Sequence, residues 1–228
     1  MQPLHPLNPL SETESIGGLV RPHDLLWIDG PDDLHATAEV PAWASQAWLV
    51  LAPVVVRREA SMAHGMVPVG LRGRTRSERF AAYVARGSIR RHITPEALVQ
   101  ARAWRASTAL AALPCMRALS SVAPELDRLG LTWGITGSVG FALASGVSTL
   151  RPDSDLDLLL RVERPLSRDE ARSLFSVLQA APARIDMQVD TGCGGFALAE
   201  WAGSTERVLL KTNHGPVLVA DPWAVDGS

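Results

Sequence analysis

Two stretches, Trp133–Gly146 (WGITGSVGFALASG) and Ser154–Val162 (SDLDLLLRV), decide how this chain is read. The second has a strand pattern with carboxylates at one end. Side chains alternate faces along a strand, so Asp155 and Asp157 point one way while Leu156 and Leu158 point into a core. Two carboxylates on one strand face lie about 7 Å apart and are hard oxygen donors suited to divalent cations. Such a pair clamps the attacking and leaving oxygens of phosphoryl or nucleotidyl transfer. In the first stretch, Leu131–Thr136 reads as a strand, Gly137 as a tight turn and Ser138 as the N-cap of a short helix. Backbone N–H groups and the positive end of a helix dipole would then face bound phosphates.

A D-x-D or a Gly-Ser turn alone is weak, but the order strand, Gly-Ser, helix, strand, D-x-D resembles a nucleotidyltransferase-type site. Such sites usually carry a third carboxylate. Arg184–Asp190 (RIDMQVD) is the next strand-like run, with Asp186, Gln188 and Asp190 on one face and Ile185, Met187 and Val189 on the other. Asp186 is the preferred third carboxylate, because it can stand beside the aspartate pair on a neighbouring strand; Asp190 is the alternative. Residues 139–154 separate Ser138 from Asp155 by more than the superfamily norm, and the loop Val147–Asp153 must absorb the excess.

The bulk composition narrows the function classes. At 228 residues the chain can hold one large domain or two small ones, and 46% apolar content is ordinary for a globular protein. A net charge of −2 argues against a general nucleic-acid binder. No export signal or membrane span is read; Trp43–Val56 is apolar-rich but interrupted by Ser45, Gln46 and Pro53. Cys115 and Cys193 are far apart and read as reduced thiols of a cytoplasmic protein, and the histidines form no zinc-binding motif.

Along the chain, residues 1–18 read as a poorly ordered leader, 19–113 as an Arg-rich α+β domain and 114–228 as the catalytic domain, with the boundary near Ala112–Pro114. The fold class is α/β (α+β): a mixed sheet with flanking helices, preceded by the smaller domain. Strands are expected at Leu25–Ile28, Trp48–Leu51, Val54–Arg57 and Met66–Leu71. Helices are expected at Arg76–Arg86, Pro95–Ala112 (capped by Thr94), Arg117–Leu129 (with Pro124 a kink or restart), Ser167–Ala180 and Gly195–Ala202. A hairpin, VLLK–TNHG–PVLVA, closes the chain. From Arg57 to Arg105 there are eleven arginines against three glutamates and no aspartate or lysine. Arg57, Arg58 and Arg72, at strand ends and beside glycines, suit bidentate phosphate capture, whereas Arg90 and Arg91 read as facing a protein partner or solvent. Gly192–Ala197 fits a dinucleotide G-x-G-x-x-A pattern but lacks the surrounding βαβ unit, and reads as a turn.

With these residues in view, the chain resembles the phosphoribosyl-dephospho-CoA transferases of malonate decarboxylase, the holo-[acyl-carrier-protein] synthases of that system. The resemblance spans about Leu19 to Trp223 and rests on RPHDLLW (21–27), PVVVRR (53–58), VPVGLRG (67–73), IDMQV (185–189), EWA (200–202), VLLKT (208–212) and ADPW (220–223), beside the two opening stretches. It implies transfer of 2′-(5-triphosphoribosyl)-3′-dephospho-CoA to a serine of the apo acyl carrier subunit, with release of diphosphate. It also implies that Asp155 and Asp157 are the catalytic pair. The chemistry then gives Asp155 and Asp157 to Mg²⁺ (or Mn²⁺), Asp186 to proton transfer and Gly137 and Ser138 to the leaving diphosphate. Arg57, Arg58 and Arg72 go to the donor. Two other readings fit the residues: a transferase placing a different nucleotide on a protein or small alcohol, and a degenerate nucleotide-binding module.

Overall fold

In the computed structural model, which describes residues 19–147 and 150–224, the chain builds two six-stranded sheets. The leader expected over 1–18 lies outside the described residues. The first sheet is antiparallel throughout. It holds β1 (Leu25–Trp27), β2 (Leu34–His35), β3 (Val54–Val56), β4 (Met66–Arg72), β5 (Arg79–Ala85) and β6 (Arg91–Ile93), in the order β2-β5-β4-β3-β1-β6, with helix α1 (Gln46–Leu49) inserted before β3.

Two expectations fail in this half. Trp48–Leu51 is not a strand: Ser45 accepts a hydrogen bond from the Trp48 N–H and caps α1, which ends at Leu49 where Val50 begins a turn. Arg76–Arg86 is not a helix. Its alanines favour helix, but Ala82 and Val84 are buried while Ala81 is exposed, a period of two, and seven residues pair with β4 from Met66↔Ala85 to Arg72↔Arg79.

The remaining elements are α2 (Pro95–Gln100), α3 (Ala103–Ala106), α4 (Pro114–Arg128), β7 (Thr132–Ile135), α5 (Gly137–Ser145), β8 (Leu156–Arg161), α6 (Arg168–Gln179), β9 (Ile185–Asp190), β10 (Gly195–Ala197), α7 (Leu198–Ala202), β11 (Val208–Thr212) and β12 (Gly215–Val219). Their sheet runs β12-β11-β10-β9-β8-β7, antiparallel except for the parallel β8–β9 pair. Thr94 caps α2 as expected, but Arg102, at φ 49°, breaks the expected long helix into α2 and α3. α2 packs on β7, where Gly134 makes room; a Cβ there would lie 2.4 Å from the Pro95 Cβ. Residues 95–110, expected with the first sheet, therefore pack on the second. α4 runs unbroken through Pro124, and Gly195–Ala202 begins as a strand before turning helical.

The two halves interlock through β1 and α5. Leu26 and Ile28 enter the core of the first sheet, while the alternate residues Leu25 and Trp27 enter the core of the second. In return α5 sends Phe141 into the first core and Val139, Ala142 and Leu143 into its own. Between them lies a buried ionic network. Arg161 reaches Asp190 (2.6 Å), Glu96, Asp24 (3.5 Å) and the Pro22 carbonyl (3.2 Å). His92 reaches Asp24 at 2.8 Å and Arg58 reaches Asp190 at 3.1 Å. The Asp24 side chain is 0% exposed.

Removing one partner of a buried network strands the others without water, so Arg161→Met is expected to destabilise the protein by about 3–5 kcal/mol in urea unfolding. The same change at Arg128, whose pair with Glu125 is exposed, should shift stability by no more than about 1 kcal/mol. Equal effects would show that the network is not what joins the halves.

Candidate active site

Antiparallel pairing of Ile135 with Leu158 carries the chain out of β7 beside Asp157, and the Thr136 N–H donates to the Asp157 carbonyl at 3.0 Å. The next residue, Gly137, has φ +62°, and a Cβ there would lie 1.9 Å from Asp157 Oδ2. Only glycine fits, both for conformation and for space. α5 starts at this glycine with Thr136 as its N-cap, so Ser138, expected as the cap, is instead its second residue. Asp155 precedes β8 and Asp157 lies within it.

Parallel pairing sets Asp186 of β9 directly opposite Asp157. Adjacent strands are about 4.8 Å apart. Burial, reinforced by Asp186 and Asp155, raises the Asp157 carboxyl above the ordinary range, with Arg72 and Arg184 opposing. Asp190, the alternative third carboxylate, pairs in register with Arg161 at the far end of the strands and is buried under Arg161 and Arg58. Asp186 is exposed and bonded to Arg184 at 3.0 Å.

Three cavities meet at this point. The first, about 520 Å³, lies between the halves: Leu25, Val55, Leu71, Phe80, Ile135 and Phe141 make it apolar, with Arg57, Arg72 and Arg79 at its polar side. The second, about 320 Å³, sets Arg72, Arg74, Arg76, Arg79 and Arg151 against Ser138, Asp155 and Asp157. The third, about 500 Å³, lies beyond Asp157 and contains Asp186, Gln188 and Lys211. Gly137 lines the first and third, and Arg72 and Arg79 line the first and second.

Of the sequence candidates, the structure brings together Asp155, Asp157, Asp186, Gly137, Ser138 and Arg72, with Arg57 in the adjoining cavity. It separates Arg58, which lines none of these cavities and packs against Asp190, with its side chain only 10% exposed. Arg90 and Arg91 are also elsewhere, on Asp29 (2.7 Å) and over the Trp27 ring (4.6 Å).

Arg79 was missed. Read as a strand, RFAAYVA would have put it opposite Arg72, the like charge that it faces in register. Neither arginine forms an ion pair with a described residue. Burial, with Arg79 adding, lowers the Arg72 guanidinium to about 10. Two facing cations without counter-ions form a site for an anion.

His23 was also missed. It has φ 76° and stands at the junction of the first and third cavities, 3.1 Å from Gln188. Burial, helped by Arg58 and Arg161, lowers its imidazole to about 4, against the pull of Asp190 and Asp24, so it is neutral at physiological pH.

Residues 21–95 match the phosphoribosyl-dephospho-CoA transferase MdcG N-terminal domain, and residues 98–222 match the C-terminal domain of the same family. The chain belongs to the phosphoribosyl-dephospho-CoA transferase family. It is 51% identical over 203 residues to a phosphoribosyl-dephospho-CoA transferase of Pseudomonas putida strain W619, covering 89% of this chain and 95% of that one. To those of Pseudomonas putida strain GB-1 and Azotobacter vinelandii it is 48% and 45% identical, covering 90% of this chain and 95% of theirs in both cases. No solved structure matches. The protein is a transferase with phosphoribosyl-dephospho-CoA transferase activity. Among the described residues no helix is long and apolar enough to cross a membrane.

Gly137→Ala is expected to lower turnover at least a hundredfold, because its Cβ must displace the Asp157 carboxylate. Ser138→Ala should lose far less, and steady-state rates of both folded variants decide this; equal rates would leave the glycine a plain turn. Stability should also report His23. Its folded pKa is depressed, so its contribution is complete above about 6.5 and is lost as pH falls toward about 4. Between those values His23→Gln should lose less Tm than wild type; parallel curves would place the depressed group elsewhere.

Proposed function

We propose that the protein transfers the 2′-(5-triphosphoribosyl)-3′-dephospho-CoA group to a serine of the apo acyl carrier subunit of malonate decarboxylase, releasing diphosphate. The observation that carries this reading is the arginine cavity: arginines that form no ion pair with a described residue face Ser138 and the Asp155–Asp157 pair. A polyphosphate donor supplies the missing charge, and the adjoining apolar cavity with Phe80 and Phe141 suits the nucleoside or pantetheine portion.

In the reaction the serine Oγ attacks the phosphorus next to the ribose. A new P–O bond forms as the bond to the outer diphosphate breaks, and the diphosphate leaves with that electron pair. Asp186, across from Asp157, takes the hydroxyl proton. Arg72, Arg79 and the N-terminus of α5 hold the charge that grows on the leaving oxygens.

Asp155 and Asp157 accept no hydrogen bond and form no ion pair through their side chains among the described residues, and their fields oppose each other. That donor set fits a hard divalent cation, Mg²⁺ or Mn²⁺. Among the described residues no group of three His, Cys, Asp or Glu side chains is set to hold a metal, so the two aspartates would share the ion with donor phosphates and water. When bound, it supplies charge neutralisation for the phosphoryl oxygens. Cys115 and Cys193 are both free thiols, in keeping with a reducing cytoplasm where the carrier would be met.

Incubation of apo carrier subunit with enzyme, donor and Mg²⁺ should add the mass of the donor less diphosphate to one serine. Asp155→Asn and Asp157→Asn should fold normally and lose that transfer by three orders of magnitude or more. An unlabelled carrier, or folded variants that label at near wild-type rate, would reject the assignment.

A further inference from the structure

In-line displacement at phosphorus requires the incoming hydroxyl and the departing diphosphate to lie on opposite sides of one centre. Around Asp157 the structure has two openings of unlike chemistry. One is the arginine cavity, built for polyanions. The other is the third cavity, between α6, β9, α7 and β11, and among the described residues Asp157 is the lining residue that it shares with the arginine cavity. If the diphosphate leaves among the arginines, the acceptor must come from this second side.

The third cavity has the character of a peptide site. Phe175, Leu178 and Leu198 give it apolar walls, and Asp186 and Gln188 supply polar groups. Its cation differs from the arginines opposite. Lys211, the only lysine of the chain, is exposed and forms no ion pair with a described residue, whereas Arg184 is engaged by Asp186.

The surface beside this opening extends the same chemistry. On β11, Leu209 and Lys211 share a face because they are two residues apart, and Leu218 of β12 lies directly opposite Leu209. Leu209 is 38% and Leu218 64% exposed, so the hairpin presents an apolar strip next to a free cation at the cavity mouth.

We infer that the third cavity is the acceptor site, and that the β11–β12 hairpin face docks the serine-bearing, acidic surface of the carrier protein. The inference rests on the function proposed above. It assigns the two substrates to separate sides of the aspartate pair, with the donor in the first and second cavities and the carrier at the third. An apolar strip beside a lone lysine complements an amphipathic segment with carboxylates along one edge, and the apolar walls receive the side chains that flank the serine.

The test uses full-length enzyme, donor, Mg²⁺ and apo carrier subunit, and reads a KM for each substrate. Lys211→Glu reverses the charge, Leu218→Glu spoils the apolar strip, and Ala199→Trp obstructs the cavity from an exposed wall position. Each should raise the carrier KM at least tenfold, keep the donor KM within twofold and leave Tm unchanged. Arg79→Ala should do the reverse, raising the donor KM alone. The acceptor site is refuted if the three variants keep a wild-type carrier KM, or if they raise both KM values together. A wild-type enzyme that fails to load the carrier refutes the underlying activity and this inference with it. Loading by the wild type with no effect of the variants refutes this inference only.

Discussion

Arg161 is the residue on which the arrangement of the molecule turns. Its guanidinium touches an acid from β9, one from α2 and one from the turn before β1, all shielded from water. Burying such a group is unfavourable unless its partners are all in place, so the network selects one geometry more than it adds stability. That geometry seats β1 on the second core. It also fixes His23, one residue before Asp24, at the junction of two cavities, and sets the β4–β5 arginines over Asp155 and Asp157.

The active cleft follows the opposite rule. There, charges of one sign are placed together: Asp155 and Asp157 with Asp186 opposite, of which Asp186 alone is paired, with Arg184, and Arg72 facing Arg79 across an antiparallel pair. Neither group relaxes by pairing with the other within 4 Å among the described residues, although Arg72 and Asp157 feel each other's field. In the proposed function, a polyphosphate bound with its cation would remove both repulsions at once. The buried network is closed to substrates for the converse reason: its charges already have partners.

Much of this was legible in the chain. Alternation in SDLDLLLRV and the glycine before Ser138 gave the site, since a strand face and a tight turn are local properties. The choice of Asp186 over Asp190 was legible only as a preference, because it depends on which residue of β9 lies opposite Asp157. Arg58 looked as available as Arg57 in the sequence. Its burial on Asp190 comes from contacts between residues more than a hundred positions apart, which no local pattern encodes. The alanines of RFAAYVA imitated a helix, and with the wrong period Arg79 could not be placed against Arg72. Trp48–Leu51 failed similarly, because an apolar run of four reads alike as a buried strand or as one capped helical turn.

The sharing of β1 between two cores has a consequence for synthesis. Asp24, Leu25 and Trp27 leave the ribosome early, yet their partners include Arg161, and the Pro22 carbonyl waits for a donor 139 residues away. Until that distant segment emerges, the nascent first half carries an acid without its arginine and an apolar strand face without a cover. Contacts this far apart in sequence make for slow closure and a prolonged exposed intermediate. The arginine-rich half is therefore an incomplete object when it is made first, with one face of β1 still waiting for the second core.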